Sequence, residues 1–418
     1  MEKLTKGKSN TLYTPTALIL IMIVGVSFLG LGLVMPLRAL YGREVGASST
    51  EIGLMTSSYL LAGFLASPGV GWLADRFGYK NVLWIGLLLH AALMLAYIPA
   101  QNPLLLIGLR ACEGAASVSV LPTTRAMMNS IAPKMRQGEA LSLLSSAQTV
   151  GILIGPAVGA LLASQTGYIL SFVIASIPLV LASLVCLIFL PVQGEQRVSS
   201  SKSRGEVSSR LFSRPLMIAY CFQVVLMTTN GVVMAVWSLF MLDRGASLPV
   251  IGLSFTTFAL PIIFIAPLAG RLSDRYGRYW LFLVGMALVG GIFCLYSLPS
   301  TTAWAIVFIS LLEGSATAIV RSALDGFLAD VMPQDARGKV QANYSAANFI
   351  GNLIGATAAG LLYGYTPGLP FLMTGLVCFC ACLVLFLPGL ARQFHTARRK
   401  IVSERGEAVL ESAVETTG

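Results

Sequence analysis

The chain has 418 residues, of which 56% are apolar and only 11% charged, and a formal net charge of +10. A soluble domain carries roughly a quarter charged residues, so the composition excludes a water-soluble enzyme and requires a polytopic membrane protein. Two histidines and seven cysteines, the latter all within apolar runs, supply no catalytic constellation, metal site or disulfide framework, and no cofactor is implied.

In chain order, a cytoplasmic tail over 1–14 carries Lys3, Lys6 and Lys8 into the first apolar run without a small-residue cleavage pattern, so that run reads as a retained helix. About twenty apolar residues cross a ~30 Å hydrocarbon core. By that measure spans are expected near 15–37, 52–74, 82–100, 104–126, 140–163 and 168–190, making an N-terminal bundle over 15–190. A polar, Ser-rich, basic stretch over 191–214 reads as a solvated cytoplasmic linker. Six more spans follow, near 215–240, 250–272, 280–299, 303–328, 341–364 and 369–389, making a C-terminal bundle over 215–390 and leaving a cytoplasmic tail over 391–418. The predicted fold is an all-α membrane protein of twelve helices in two pseudo-symmetric six-helix bundles.

Loops on the N-terminal side carry most of the 28 basic residues and the opposite loops only Arg38, Arg43 and Arg244, so both termini are expected in the cytoplasm of a cell-membrane protein. The positive charge is then a topology signal suited to an anionic leaflet, not a nucleic-acid footprint.

The chain also repeats itself. GWLADRFGYK from Gly71 recurs as GRLSDRYGRY from Gly270, 199 residues later, and Glu113-Gly114, Gly151 and Gly155 recur 200 residues later as Glu313-Gly314, Gly351 and Gly355. Six spans return the chain to its starting side, so the halves share an orientation and a two-fold axis along the membrane normal, on which the working site is expected.

Within the loop motif, Gly71 and Gly78 permit close helix approach and a tight reversal, and Asp75 can accept hydrogen bonds from a facing helix N-terminus, with Arg76 and Lys80 as further partners. The second copy supplies Gly270, Asp274, Arg275, Gly277 and Arg278. Such clusters could latch one arrangement of the bundles; the alternative is that they merely end a span in solvated charge. Arg125 is a candidate partner for Asp75.

This motif resembles the loop signature of the major facilitator superfamily. GILIGPAVGALL, with Gly151, Gly155, Pro156 and Gly159, is similar to the fifth-span motif of its twelve-span drug:proton antiporter branch. Glycines at four-residue spacing give a flat face for close packing, and proline kinks the helix. The resemblance implies that the fifth helix seals the bundles on the outer side of the cavity, with ordinary small-residue packing as the alternative; a monomer working by alternating access is expected. Tyr79 stands where the family has arginine, the second motif lacks its final lysine, Ala160 replaces a frequent glycine, and the first span has no carboxylate.

Buried ionisable side chains are costly and mark function by default. Arg110, Glu113 and Glu313 lie within spans, and the two glutamates fall about 14–15 Å along their helices, near the bilayer midplane. The resemblance implies that both face a central cavity. Arg110, one turn from Glu113, would keep it a constant anion. Glu313, among Ile309, Ser310, Ala316 and Thr317, is the better proton carrier. A static structural role for both is the alternative. His90 is expected to pack against a helix partner, and Arg321 with Asp325 to form a structural pair. Gln223 and Asn230 either offer amides to a substrate or glue helices.

The expected function is proton-coupled efflux of small amphipathic compounds, because the cavity spans are rich in Phe, Met and Leu. The alternative is a proton-coupled metabolite, sugar or siderophore transporter of the same fold. Expected partners are the small-molecule substrate, protons and the lipid bilayer.

Overall fold

The structure is a computed structural model and describes residues 14–191, 211–333 and 336–386, apart from the side chain of Lys134. The expected N-terminal tail, central linker and C-terminal tail fall almost wholly outside the described residues.

All regular structure among the described residues is helical. The first half holds α1 (Pro15–Leu33), α2 (Leu37–Glu44), α3 (Ser49–Phe77), α4 (Tyr79–Leu95), α5 (Pro103–Ser117), α6 (Leu121–Ile131) and α7 (Gln137–Phe189). The second holds α8 (Arg214–Asp243), α9 (Leu248–Tyr276), α10 (Arg278–Ser297), α11 (Ala303–Val331), α12 (Arg337–Tyr363) and α13 (Leu369–Leu385).

Several boundaries have direct causes. Thr14 caps α1 by accepting a hydrogen bond from the Ala17 amide, with Pro15 in the first turn, where its missing N–H costs nothing. Pro36 interrupts the first span, and helix resumes as α2, which lifts Arg38 out of the expected loop and into a helix. α3 and α9 end at Gly78 and Gly277, whose φ values of 86° and 100° are accessible at low cost only to glycine.

α7 is broken at Gly167, where φ is 79°. Gly151 and Gly155 before the break, and Ala175, Pro178 and Leu179 after it, all meet α1 between Phe28 and Gly32. The chain therefore folds back at Gly167, and α7 is the expected fifth and sixth spans.

Eight helical stretches are long and apolar enough to cross a membrane, α7 among them. Counting α7 twice and adding Ser49–Phe77 and the shorter apolar helices Tyr79–Leu95 and Leu369–Leu385 gives the twelve expected spans. Large apolar side chains such as Leu65, Leu104, Phe264 and Phe308 point outward at 67–74% exposure, as a protein surface solvated by lipid requires.

The helices form two compact units. One comprises the chain through Val45 together with the segment from Leu61 to the end of α7, and the other Gly46–Leu60 together with α8 to α13. The first turns of α3 thus belong to the second unit, where Gly53 lies against Gly360 and the Ser57 hydroxyl is 2.8 Å from that of Thr357.

In the first unit the stripe Gly151, Gly155 and Gly159 packs on the α1 backbone so closely that a Cβ on Gly155 would sit 2.7 Å from the Gly32 Cα. In the second unit Gly351 and Gly355 of α12 meet the Val224 and Thr228 carbonyls of α8 in the same way. Lipid supplies no hydrophobic drive between helices, so this backbone-to-backbone fit is what holds them.

Candidate functional site

Among the described residues each unit buries one glutamate. Glu113 in α5 is 0% exposed, and four side chains converge on it. Arg38 from α2 pairs with Oε1, and His90 Nε2 from α4 lies 3.2 Å from the same oxygen. Arg110 Nη1 donates to Oε2 at 2.7 Å, and the Tyr97 hydroxyl donates to Oε2 at 3.0 Å. Arg110 is the expected i−3 partner, and His90 has the helix partner foreseen for it. Arg38 and Tyr97 are additions.

Glu313 in α11 is 4% exposed and has a different environment. Tyr296 of α10 donates its hydroxyl to Oε2 at 2.9 Å, and no cation pairs with Glu313 among the described residues. Around it Trp237 donates Nε1 to the Ser254 hydroxyl at 2.8 Å, and the Thr257 and Ser310 hydroxyls lie 2.7 Å apart. Neutral hydroxyls and rings occupy the ground that charges occupy in the other unit.

The two surroundings correspond position by position. Tyr97 and Tyr296 are 199 residues apart, as are Tyr41 and Phe240, and Phe172 and Phe371. Tyr97 stacks on Phe172 at 4.5 Å, and Tyr296 meets Phe371 edge-on at 5.9 Å. The cations are what the repeat does not preserve. At an offset of 199 Arg38 and His90 give way to Trp237 and Val289, and at the 200 that relates Glu113 to Glu313, Arg110 gives way to Ser310.

The loop motifs differ too. Arg278 bridges Asp274 at 2.7 Å and Asp330 at 3.0 Å, and donates to the Ser273 hydroxyl at 3.0 Å. In the first motif Tyr79 occupies the corresponding position, and its hydroxyl donates to Asp75 at 3.1 Å. Lys80 does not turn to Asp75: its Nζ caps the end of α7 at the Leu190 carbonyl, 2.5 Å away. Arg76 lies over the Trp72 and Phe77 rings, and Arg275 over Tyr276.

Arg125 is exposed and forms no ion pair with Asp75 among the described residues. Gly78 and Gly277 make the expected reversals, whereas among the described residues no atom of a neighbour lies within 4 Å of a Cβ placed on Gly71 or Gly270. Gln223 is buried and its amide oxygen has no hydrogen-bond partner among the described residues, and Asn230 is half-buried. Arg321 and Asp325 approach to 3.8 Å at an exposed position, with Tyr344 donating to Asp325 at 2.9 Å.

The sequence profile of the Major Facilitator Superfamily matches residues 20–229 and 219–412, which together span most of the chain. The chain belongs to the major facilitator superfamily. Among its relatives, the multi-drug resistance efflux pump PmrA homolog of Lactococcus lactis is 27% identical, over 82% of this chain and 86% of that protein. The multidrug resistance protein MdtG of Serratia proteamaculans is also 27% identical, over 85% and 87%. Among solved structures, a bacterial homolog of the human lysosomal transporter Spinster superimposes with a TM-score of 0.76 at 15% identity, covering 92% of this chain and 98% of that one. The chain is therefore a multi-pass membrane transporter of this superfamily, all-helical and built on the expected twelve-span plan.

Proposed function

We propose that this transporter exports small amphipathic compounds in exchange for protons by alternating access, with Glu313 as the proton carrier. One observation carries the assignment: Glu313 is buried with a single neutral donor, Tyr296, so binding or losing a proton changes its charge without breaking an ion pair. Glu113, bound by two guanidiniums, acts as a fixed anion that orders α2, α4 and α5.

The names borne by the Lactococcus and Serratia relatives support the export of drug-like compounds. The loop motifs act as latches that form and break as the bundles exchange arrangements, and the glycine–proline stripe of α7 acts as a seal. The transporter works as a monomer in the cell membrane, with both termini cytoplasmic.

The test is transport by the full chain in proteoliposomes under an imposed pH gradient. Glu313→Gln should abolish gradient-driven transport while leaving gradient-independent substrate binding intact. Unchanged gradient-driven transport in that variant would remove Glu313 from the coupling.

A further inference from the structure

A carboxyl group that carries protons must meet water, yet Glu313 is almost wholly buried. The residues that follow it on α11 supply a route. Thr317, Arg321 and Asp325 come at successive intervals of four, so with Glu313 they lie along one ridge of the helix. Exposure rises along that ridge: Thr317 is half-buried, and the Arg321 and Asp325 side chains are 62% and 52% exposed.

The exposed end of the ridge faces water, not lipid. Arg321 lies about 15 Å before Val331, where α11 ends, and a charge held at that depth against hydrocarbon is costly. The lipid-facing stripe of α11, marked by exposed Phe308 and Leu312, is on another side; at 3.6 residues per turn, Thr317 is turned about 180° from Phe308. Tyr344 of α12 orients Asp325 by donating to it at 2.9 Å, and Arg321 stands 3.8 Å away, so this pair adds no net charge. Arg278 of α10 lies against Gly326 but is paired with Asp274 and Asp330. The ionisable group that meets Glu313 from α10 is Tyr296; α9 brings the Ser254 and Thr257 hydroxyls, and α8 brings Trp237.

Thr317 differs from the other hydroxyl residues of α11, whose donors are all taken. Ser310 donates to the Val307 carbonyl at 2.8 Å, Ser315 to that of Leu311 at 2.9 Å and Ser322 to that of Ala266 at 3.2 Å. The Thr317 hydroxyl has no hydrogen bond to any described residue. A helical threonine can turn to the carbonyl four residues back, as Thr357 does to Leu353 at 2.8 Å, and Thr317 does not. Its hydroxyl is left to water, one helical turn from Glu313.

The first unit lacks this line. Two hundred residues earlier stand Ser117, whose hydroxyl donates to the Gly114 carbonyl at 2.7 Å, then Leu121 and Arg125, with the helix interrupted between Ser117 and Leu121. The acid held in ion pairs thus has no polar ridge leading from it.

We propose that Thr317 is the positioning residue for proton exchange at Glu313, its hydroxyl holding the innermost water of a hydrated face that opens past Arg321 and Asp325. The Glu313 O–H bond breaks, that water takes the proton as hydronium, and neighbouring waters carry it out, leaving the carboxylate; uptake is the reverse. The inference rests on the reading of Glu313 as the proton carrier and supplies its route to solvent.

The test uses the purified full-length protein in liposomes. After a pH jump, time-resolved infrared spectroscopy follows the carboxylic-acid band of Glu313, identified by its loss in Glu313→Gln. Thr317→Val should slow the change in that band about tenfold or more at an unchanged midpoint, and Thr317→Ser should recover the rate to within about twofold. Independently, with the native cysteines replaced by alanine, Thr317→Cys should react with a charged, water-soluble methanethiosulfonate, and Phe308→Cys should not.

A native rate in Thr317→Val, a slowing that Thr317→Ser does not recover, a shifted midpoint or an unreactive Thr317→Cys would each overturn the proposal. Failure of the coupling assignment has its own signature: no titrating band disappears in Glu313→Gln, although Thr317→Cys still reacts, and the relay then falls with it.

Discussion

The two buried glutamates began as copies of one position and now sit in opposite electrostatic settings. Around Glu113 are two arginines, a histidine and a tyrosine; around Glu313 the tyrosine is kept, and tryptophan, valine and serine stand where the cations were. The aromatic frame of Tyr97 and Phe172, matched by Tyr296 and Phe371, survives in both. The duplicated scaffold is the same in both, and three differing side chains surround one acid with cations while the other keeps a neutral donor.

If that contrast is right, removing the charge should matter far more in one unit than in the other. Glu113→Gln leaves two buried guanidiniums without their acid and should cost about 3–5 kcal/mol, the scale for breaking a buried ion pair from one side. Glu313→Gln keeps an acceptor for Tyr296 and should cost less than about 1 kcal/mol. Thermal unfolding in detergent separates the two, and equal losses would erase the distinction.

The tyrosines sharpen the comparison in the opposite direction. Tyr296→Phe removes the one donor found on Glu313 and should cost about 1–3 kcal/mol, as for a buried hydrogen bond to an acid. The same change should move the midpoint of the transport–pH curve. Tyr97→Phe leaves three donors on Glu113 and should cost about 1 kcal/mol or less, with no change in that midpoint. Parallel melting curves and pH–rate profiles of the two variants provide the check.

The loop motifs should show the smallest difference. Arg278→Gln breaks a partly buried bridge to Asp330 and should lower stability by about 1 kcal/mol. Tyr79→Phe, which removes only an exposed hydrogen bond to Asp75, should change it by less than about 0.5 kcal/mol. A larger effect of Tyr79→Phe would mean that the first motif is as tightly tied within its own unit as the second.

The sequence alone determined the membrane character, the twelve-span plan and the duplication. Each follows from quantities that are local or periodic along the chain: apolar run length, loop charge and a repeat offset of about 200 residues. It also brought Arg110 to Glu113, because three residues on a helix face are neighbours wherever the helix goes. Only the tertiary structure decided the rest of that site. Arg38 lies 75 residues from Glu113 and reaches it because Pro36 breaks the first span and a new helix starts there. Tyr97 and Tyr296 carried a signal in their matching offset, but a tyrosine near a span end looks the same in sequence whether it meets lipid headgroups or a buried acid. Which side chains converge on a point is set by helix packing across long separations, and here that packing is fixed by glycine contacts whose partners no local pattern names.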